Sequence, residues 1–462
     1  MSTIQLINSL NENLPNSSDV SSNTMEDINK LNRVSNNSNI NVIVVENNET
    51  MKQKNDISNE KPEETIIQKN DISKGKPAEK LEECNIEITV NEPIEKPKEK
   101  RKRIYWVDAL RVFANFLVLL THVALRFDKS KLGSKDWYIL SFYNSVSRPC
   151  VPLFVMISGI LFLNPKKEVT CKTMFSKYIL RIFKSYVFWT LYYNVFEENI
   201  FKYINKKGNF KITDEVITET ITKSIASNHN HLWYLNFVMG LYMVTPILKK
   251  ITPDRSITWY ACIIFSIVTQ LVPTVHVALT NLFEVKEFSI IKTYTDGLKV
   301  EIAGSYVTYY LLGYLLNKDF SKKRYIYLSY FLGIIGTALT YVLKILYSLK
   351  LESNNFYFLD FNCIGVVLAT IGTYVLFKYH LKGIIDYLVK FKLFEKILVV
   401  LSDCSFGIYL IHMSIQRISN EYIPINMYNP IIWAPVLTII IYIISFIIIY
   451  ALRMIPIFRQ VM

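Results

Sequence analysis

Ten apolar stretches follow one another from residue 104 to residue 452, at 104–125, 146–163, 178–196, 231–248, 257–275, 300–317, 325–348, 356–377, 397–415 and 431–452. A helix needs ~20 residues to cross ~30 Å of hydrocarbon, and the shorter stretches reach across with tilt or flanking residues. The reading is an all-α polytopic membrane protein with about ten transmembrane helices, preceded by a disordered cytoplasmic tail. Hydrophobic residues make up 51% of the chain and aromatic ones 14%, with only 14 Gly and 15 Pro, which separates it from an ordinary soluble enzyme.

The tail, residues 1–100, contains no Phe, Trp or Tyr and is rich in Asn, Ser, Glu and Lys. Such a segment cannot bury enough apolar area to fold alone, so one transmembrane domain is expected over 101–462. A near-duplicate, QKNDIS at 53–58 and again at 68–73, reads as drift in low-complexity sequence. The longest apolar run there, Val42–Val45, is too short for a signal peptide, so the first apolar helix is expected to act as the membrane signal.

The formal charge of +13 is unevenly divided: the tail has 12 Lys/Arg against 18 Asp/Glu, and the remainder 40 against 21. The basic excess falls in short loops between apolar segments. It is therefore a topology signal and not a nucleic-acid patch, and no nucleic-acid partner is expected. Arg101, Lys102 and Arg103 precede the first helix, and cations such as Lys166, Lys249, Lys322 and Lys390 follow the second, fourth, sixth and eighth. By the positive-inside rule both termini are cytoplasmic, although the first outer loop, with Arg126, Lys129, Lys131 and Lys135, opposes it. Six cysteines lack CxxC or metal-type spacing and read as reduced thiols, so no metal site is expected.

Two residues inside the first helix are costly to keep in lipid. Arg111 and His122 are separated by ten residues, almost all apolar. Three turns place them on one face, about 16 Å apart along the axis. A cation and an imidazole in such a segment mark a functional site by default. Asp108, one turn before Arg111, compensates its charge.

The orientation sorts other polar residues by depth. His122, Arg148 at the opening of the second helix, His231 at the opening of the fourth and His412 near the outer end of the ninth reach a similar outer depth. Ser405, Tyr409 and His412 share one helix face. At the inner face Lys177, Arg181 and Lys184 form a basic stripe that, with Arg111, suits the phosphates of a nucleotide-like donor. Ordinary anchoring explains Lys177 better, and Arg181 and Lys184 equally well. Trp233 fits a sugar site or an interfacial aromatic belt, Glu301 reads as interfacial, and His229, His276 and His380 fall in loops.

The run Trp106-Val107-Asp108-Ala109-Leu110-Arg111 with His122, then VPLFVMISG, HLWYLNFVMGLYMVTPIL and LSDCSFGIYLIH, resembles the acyltransferase 3 family, segment by segment and in the family's order. The likeness covers residues 104–455. It implies a polytopic membrane enzyme that moves acyl groups from acyl-coenzyme A onto surface sugars and lipids, with Arg111 and His122 matching the family's Arg-and-His pair. SRPCVPLFVMISG and HLWYL resemble the branch of bacterial surface-polysaccharide O-acetyltransferases. That implies acetyl-coenzyme A as donor substrate, a glycan or glycolipid acceptor, and no permanently bound cofactor. Lys184 stands where many members have part of an arginine-rich patch.

In the chemistry so implied, neutral His122 takes the acceptor hydroxyl's proton as the hydroxyl attacks the thioester. Arg148 or another outer-face group supplies a donor to the oxyanion. An acyl-imidazole route is the nucleophilic alternative. His122, Arg111 and Asp108 are the catalytic candidates. Arg148, His231, Trp233, Tyr409 and His412 are expected to bind acceptor, and Arg181 and Lys184 to bind donor. Coenzyme A would bind at the inner face, its pantetheine arm threading between helices, with the acceptor arriving from outside. No P-loop, HExxH or GxSxG motif competes. The rival classes are a transporter or flippase of the same topology, and a sensor or scaffold that kept the fold without the chemistry.

Overall fold

The computed structural model describes residues 103–126, 130–167, 169–197, 218, 231–285, 287–297, 305–318, 320, 322–423 and 429–462. The expected tail, Cys84, His229, Glu301 and most of the 197–230 loop lie outside them. Among the described residues all regular structure is helical.

Helix α1, Tyr105–Arg126, is the centre of the bundle. It packs against α2 (Lys135–Ser147), α3 (Cys150–Phe162) and two later helices, here α13 (Lys392–Tyr422) and α14 (Pro430–Leu452). Between them in the chain come α4 (Leu180–Leu191), α5 (Trp233–Ile251), α6 (Arg255–Ser266), α7 (Val272–Val277), α8 (Phe288–Gly297), α9 (Ser305–Asn317), α10 (Lys323–Lys350), α11 (Ile364–Leu376) and α12 (Lys382–Leu388). Short α15, Pro456–Gln460, returns to α4. The unit covers Arg103–Met462.

Seven of the described helical spans are long and apolar enough to cross a membrane. The chain is thus an all-α polytopic membrane protein. Of the ten expected stretches, 178–196, 231–248 and 300–317 coincide with α4, α5 and α9, which are not among those seven. Two histidines expected in loops stand on helical turns: His276 in α7, and His380 in a π-helical turn where its Nδ1 pairs with the Tyr330 hydroxyl at 2.6 Å. Among the described residues Cys150, Cys171, Cys262, Cys363 and Cys404 are free thiols.

The second span departs most from expectation. It begins at Lys135 and not near 146, so much of the expected first outer loop is helix. Ser134 caps it, its side chain accepting the Trp137 amide at 3.2 Å. Ser141, Asn144 and Ser145 fall in the expected outer loop, but together with Ser147 they are buried and hydrogen-bonded. Ser145 and Ser147 donate to the carbonyls of Ser141 and Asn144, and Thr121 donates to Ser147 at 2.7 Å. Buried Lys344 of α10 donates to Ser141 at 2.6 Å and sits 4.0 Å from the Trp137 ring. The span breaks at Arg148–Pro149, where proline removes a helical N–H. Arg148 therefore lies at a joint inside a 28-residue span, and not at its opening.

Gly159, from the VPLFVMISG segment, has a packing role. A Cβ there would lie 2.1 Å from the Tyr310 carbonyl oxygen of α9, so only glycine admits this approach. The contact holds α3 against α9 and aims neighbouring Ser158 into the interior cavity described below.

Candidate functional site

Asp108 is a buried carboxylate, and a buried charge needs partners. Arg103 gives it two hydrogen bonds, at 2.7 and 3.3 Å, and also bonds Asp403 at 2.6 Å. Arg111 Nη1 donates to Asp108 at 3.2 Å and to Ser402 Oγ at 2.8 Å, while Ser402 donates to Asp108 at 2.6 Å. The first helix and α13 are thereby cross-linked at the Arg111 end. Asp108 holds the arginines in place. It stands three to four turns from His122, about 21 Å along the axis, and so is not part of the histidine site.

A cavity of about 520 Å³ starts at this network. Arg111, Arg181, Arg453 and Asp403 line it at the level of Ser402. Val118, Phe154, Ile157 and Val238 form apolar walls, and Tyr234 and Tyr409 line it further along. Tyr409 follows Ser402 by seven residues on α13, an advance of about 10 Å. Of the basic stripe Lys177, Arg181 and Lys184 only Arg181 lines the cavity, and it also donates to the Met462 main-chain oxygen at 2.8 Å. Lys184 is exposed one turn on and does not line it.

Beyond Tyr409 three histidines meet. The His412 ring centre is 5.1 Å from that of His122 and 5.5 Å from that of His231. Tyr193 packs edge-on against His231 at 4.8 Å and donates to the Leu410 carbonyl at 2.6 Å. The Tyr409 hydroxyl donates to the His231 carbonyl, tying the start of α5 to α13. Gln416 donates to the His122 carbonyl at 2.7 Å and fixes α1 to α13. Arg148 donates to the Asn144 side-chain oxygen at 2.6 Å. Its guanidinium lies 5.6 Å from the Phe361 ring, on which Trp233 stacks at 6.0 Å. Trp233 thus belongs to an aromatic group beside Arg148 and does not line the cavity.

The cluster is deeper than sequence position suggests. His412 was expected near the end of its helix, but α13 continues to Tyr422, and α2 rises from Arg148 to Lys135. Ten further residues of helix place the histidines about 15 Å below that end of α13. Part of each extension is buried polar sequence: Ser141, Asn144, Ser145 and Ser147 in the second span, and Ser414 and Gln416 in α13, whose last turn is exposed.

Sequence reasoning missed Ser402, Arg453 and Tyr193. Ser402 had a usable signal, since 402, 405, 409 and 412 continue one helix face. Arg453 closes an unbroken apolar helix, where a cation has an ordinary topological reason. Nothing local distinguished it. Among the described residues no group of three His, Cys, Asp or Glu is placed to hold a metal ion.

Residues 104–450 match the acyltransferase domain of the acyltransferase 3 family. No curated protein and no solved structure matches the chain.

Proposed function

The chain belongs to the acyltransferase 3 family, as an integral-membrane acyltransferase for groups other than amino-acyl groups, and from that premise we propose that it moves an acetyl group from acetyl-coenzyme A to a hydroxyl of a glycan or glycolipid. The observation that carries this reading is the cavity. It has guanidinium groups at one level, apolar walls beyond them and tyrosines next to the histidine cluster. That order matches the donor's own chemistry: phosphates, a largely apolar pantetheine arm, then a thioester. Arginine suits phosphate through its planar fork of donors.

In this reading the acceptor hydroxyl oxygen bonds to the thioester carbonyl carbon while His122 takes the hydroxyl proton. Arg148 offsets the oxyanion charge. The C–S bond then breaks, and the thiolate receives the proton from the His122 imidazolium. The products are an ester and free coenzyme A. Asp108 and Ser402 orient Arg111 toward the donor phosphates and take no part at the reacting atoms.

The direct test is transfer of radiolabelled acetyl from acetyl-coenzyme A in membranes carrying the protein. The double variant Arg181→Ala, Arg453→Ala should raise the donor KM about tenfold, roughly 1.4 kcal/mol, and leave the acceptor KM within twofold. Unchanged donor KM would remove the donor from this cavity.

The reading also needs the Arg111 end to face the cytosol, with both chain termini on that side. Ser353 and Lys390 are exposed at opposite expected faces. A cysteine at Ser353 should react with an impermeant thiol reagent in intact cells, and one at Lys390 only after permeabilisation. Labelling of the Lys390 position in intact cells would invert the arrangement and put the histidines on the cytosolic side.

A further inference from the structure

Resting on the assignment of His122 as base, we infer that His412 is a positioning residue: it accepts a hydrogen bond from one His122 ring nitrogen and so keeps the other nitrogen's lone pair directed at the acceptor hydroxyl. The His412 tautomer is set by its own helix. Its Nδ1 lies 2.6 Å from the Tyr409 carbonyl oxygen, one turn back on the same helix. A carbonyl only accepts, so Nδ1 carries the proton and, in the neutral ring, Nε2 carries the lone pair. That Nε2 is fully buried and has no partner among the described residues. A buried acceptor without a donor is costly, and such groups are rare outside functional sites.

The donor it lacks is next to it. The His122 and His412 ring centres are 5.1 Å apart, tilted by 48°. An N–H···N bond of ~2.9 Å, with ~1.1 Å from each nitrogen to its ring centre, gives a separation of about 5.1 Å. Rotation of half-buried His122 about its broad χ2 torsion completes the contact. The Gln416 bond to the His122 carbonyl holds the backbone during that rotation.

The arrangement follows the logic of a nucleophile's base that is itself oriented by a third group. Here the third group is a neutral imidazole and not a carboxylate. When His122 takes the hydroxyl proton, its other N–H is held on His412 Nε2. The added positive charge then rests on a pair of rings. When the thiolate leaves, the proton returns from His122 to sulfur, and His412 ends as it began. His412 thus acts on the chemical step and not on acceptor affinity, although its place on the helix face first suggested acceptor binding.

Kinetics of purified full-length protein, with acetyl-coenzyme A and an acceptor found in the transfer assay, test this. His412→Phe keeps the ring volume and removes the lone pair. His412→Gln restores a side-chain carbonyl that can accept from His122. The phenylalanine variant should lose about thirtyfold in kcat with both KM values within twofold, and the glutamine variant should recover at least a third of the wild-type kcat. Equal impairment of the two, a loss in acceptor KM and not in kcat, or a phenylalanine variant within threefold of wild type would overturn the inference. If His412→Phe does not fold, His412→Met, without a strong acceptor, takes its place under the same criteria. His122→Ala runs in parallel. If it is inactive and His412→Phe is unimpaired, only the role of His412 falls. If His122→Ala is active, the base assignment falls and takes this inference with it.

Discussion

Replacing His122 by alanine should lower kcat for acyl transfer by roughly 10³-fold, about 4 kcal/mol of barrier, while the protein still inserts and folds. The expected size is that of general acid–base catalysis by one positioned side chain. The donor KM should stay within twofold, because the guanidinium level of the cavity lies about three turns away on the same helix. Stability should hold for a local reason. The bond that pins this part of α1 to α13 runs from Gln416 to the His122 main-chain oxygen, and alanine keeps that oxygen. Initial rates in membranes, with protein amount normalised by immunoblot, give the measurement. A variant retaining more than a third of wild-type activity would remove His122 from the chemistry.

Arg111→Lys should be the next most damaging change, with kcat/KM for the donor falling about fiftyfold, roughly 2.3 kcal/mol. One guanidinium nitrogen serves both Asp108 and Ser402, which leaves the rest of the fork for the cavity. An ammonium that meets the same two oxygens has no second arm to offer a phosphate. Folding should be little affected, because Arg103 still neutralises Asp108. Donor kinetics read the result. If lysine supports donor use within threefold of wild type, Arg111 serves only the α1–α13 cross-link.

Much of the architecture is legible in the sequence because lipid leaves few choices. An apolar run must be a helix of predictable length, and each of the ten expected stretches coincides at least partly with described helix. The convergence of His122, His231 and His412 is also legible, since counting residues along helices of known direction yields depth. Lateral neighbours are less accessible to such counting. Lys184 shares a stripe with Arg181 yet points away from the cavity, because a one-turn offset on a helix is enough to change its neighbour. Ser141 and Asn144 made a helix look like a loop, and Ser147 stands within its expected opening. Their partners, Lys344, Arg148 and Thr121, come from other helices or a following turn, and hydropathy does not register such pairings. Arg453 was not legible at all, because it reaches the cavity only through the packing of α14 on α13.

The recess above the histidines has a further consequence for what can be modified. In the proposed reaction, a hydroxyl arriving from that end of α13 passes about 15 Å of helix before it meets an imidazole. A stiff or thickly branched chain lying across the membrane surface cannot bend a mid-chain residue down that far. A free chain end, or a single sugar carried on a lipid, can be lowered in. Selection by reach should therefore precede any selection by hydrogen bonding. Under the proposed acetyl transfer, short saccharides with one exposed terminus should be modified at that terminus, and lengthening the chain behind it should make little difference. The length of α13 past His412 would then work as a gauge that measures the acceptor before the chemistry begins.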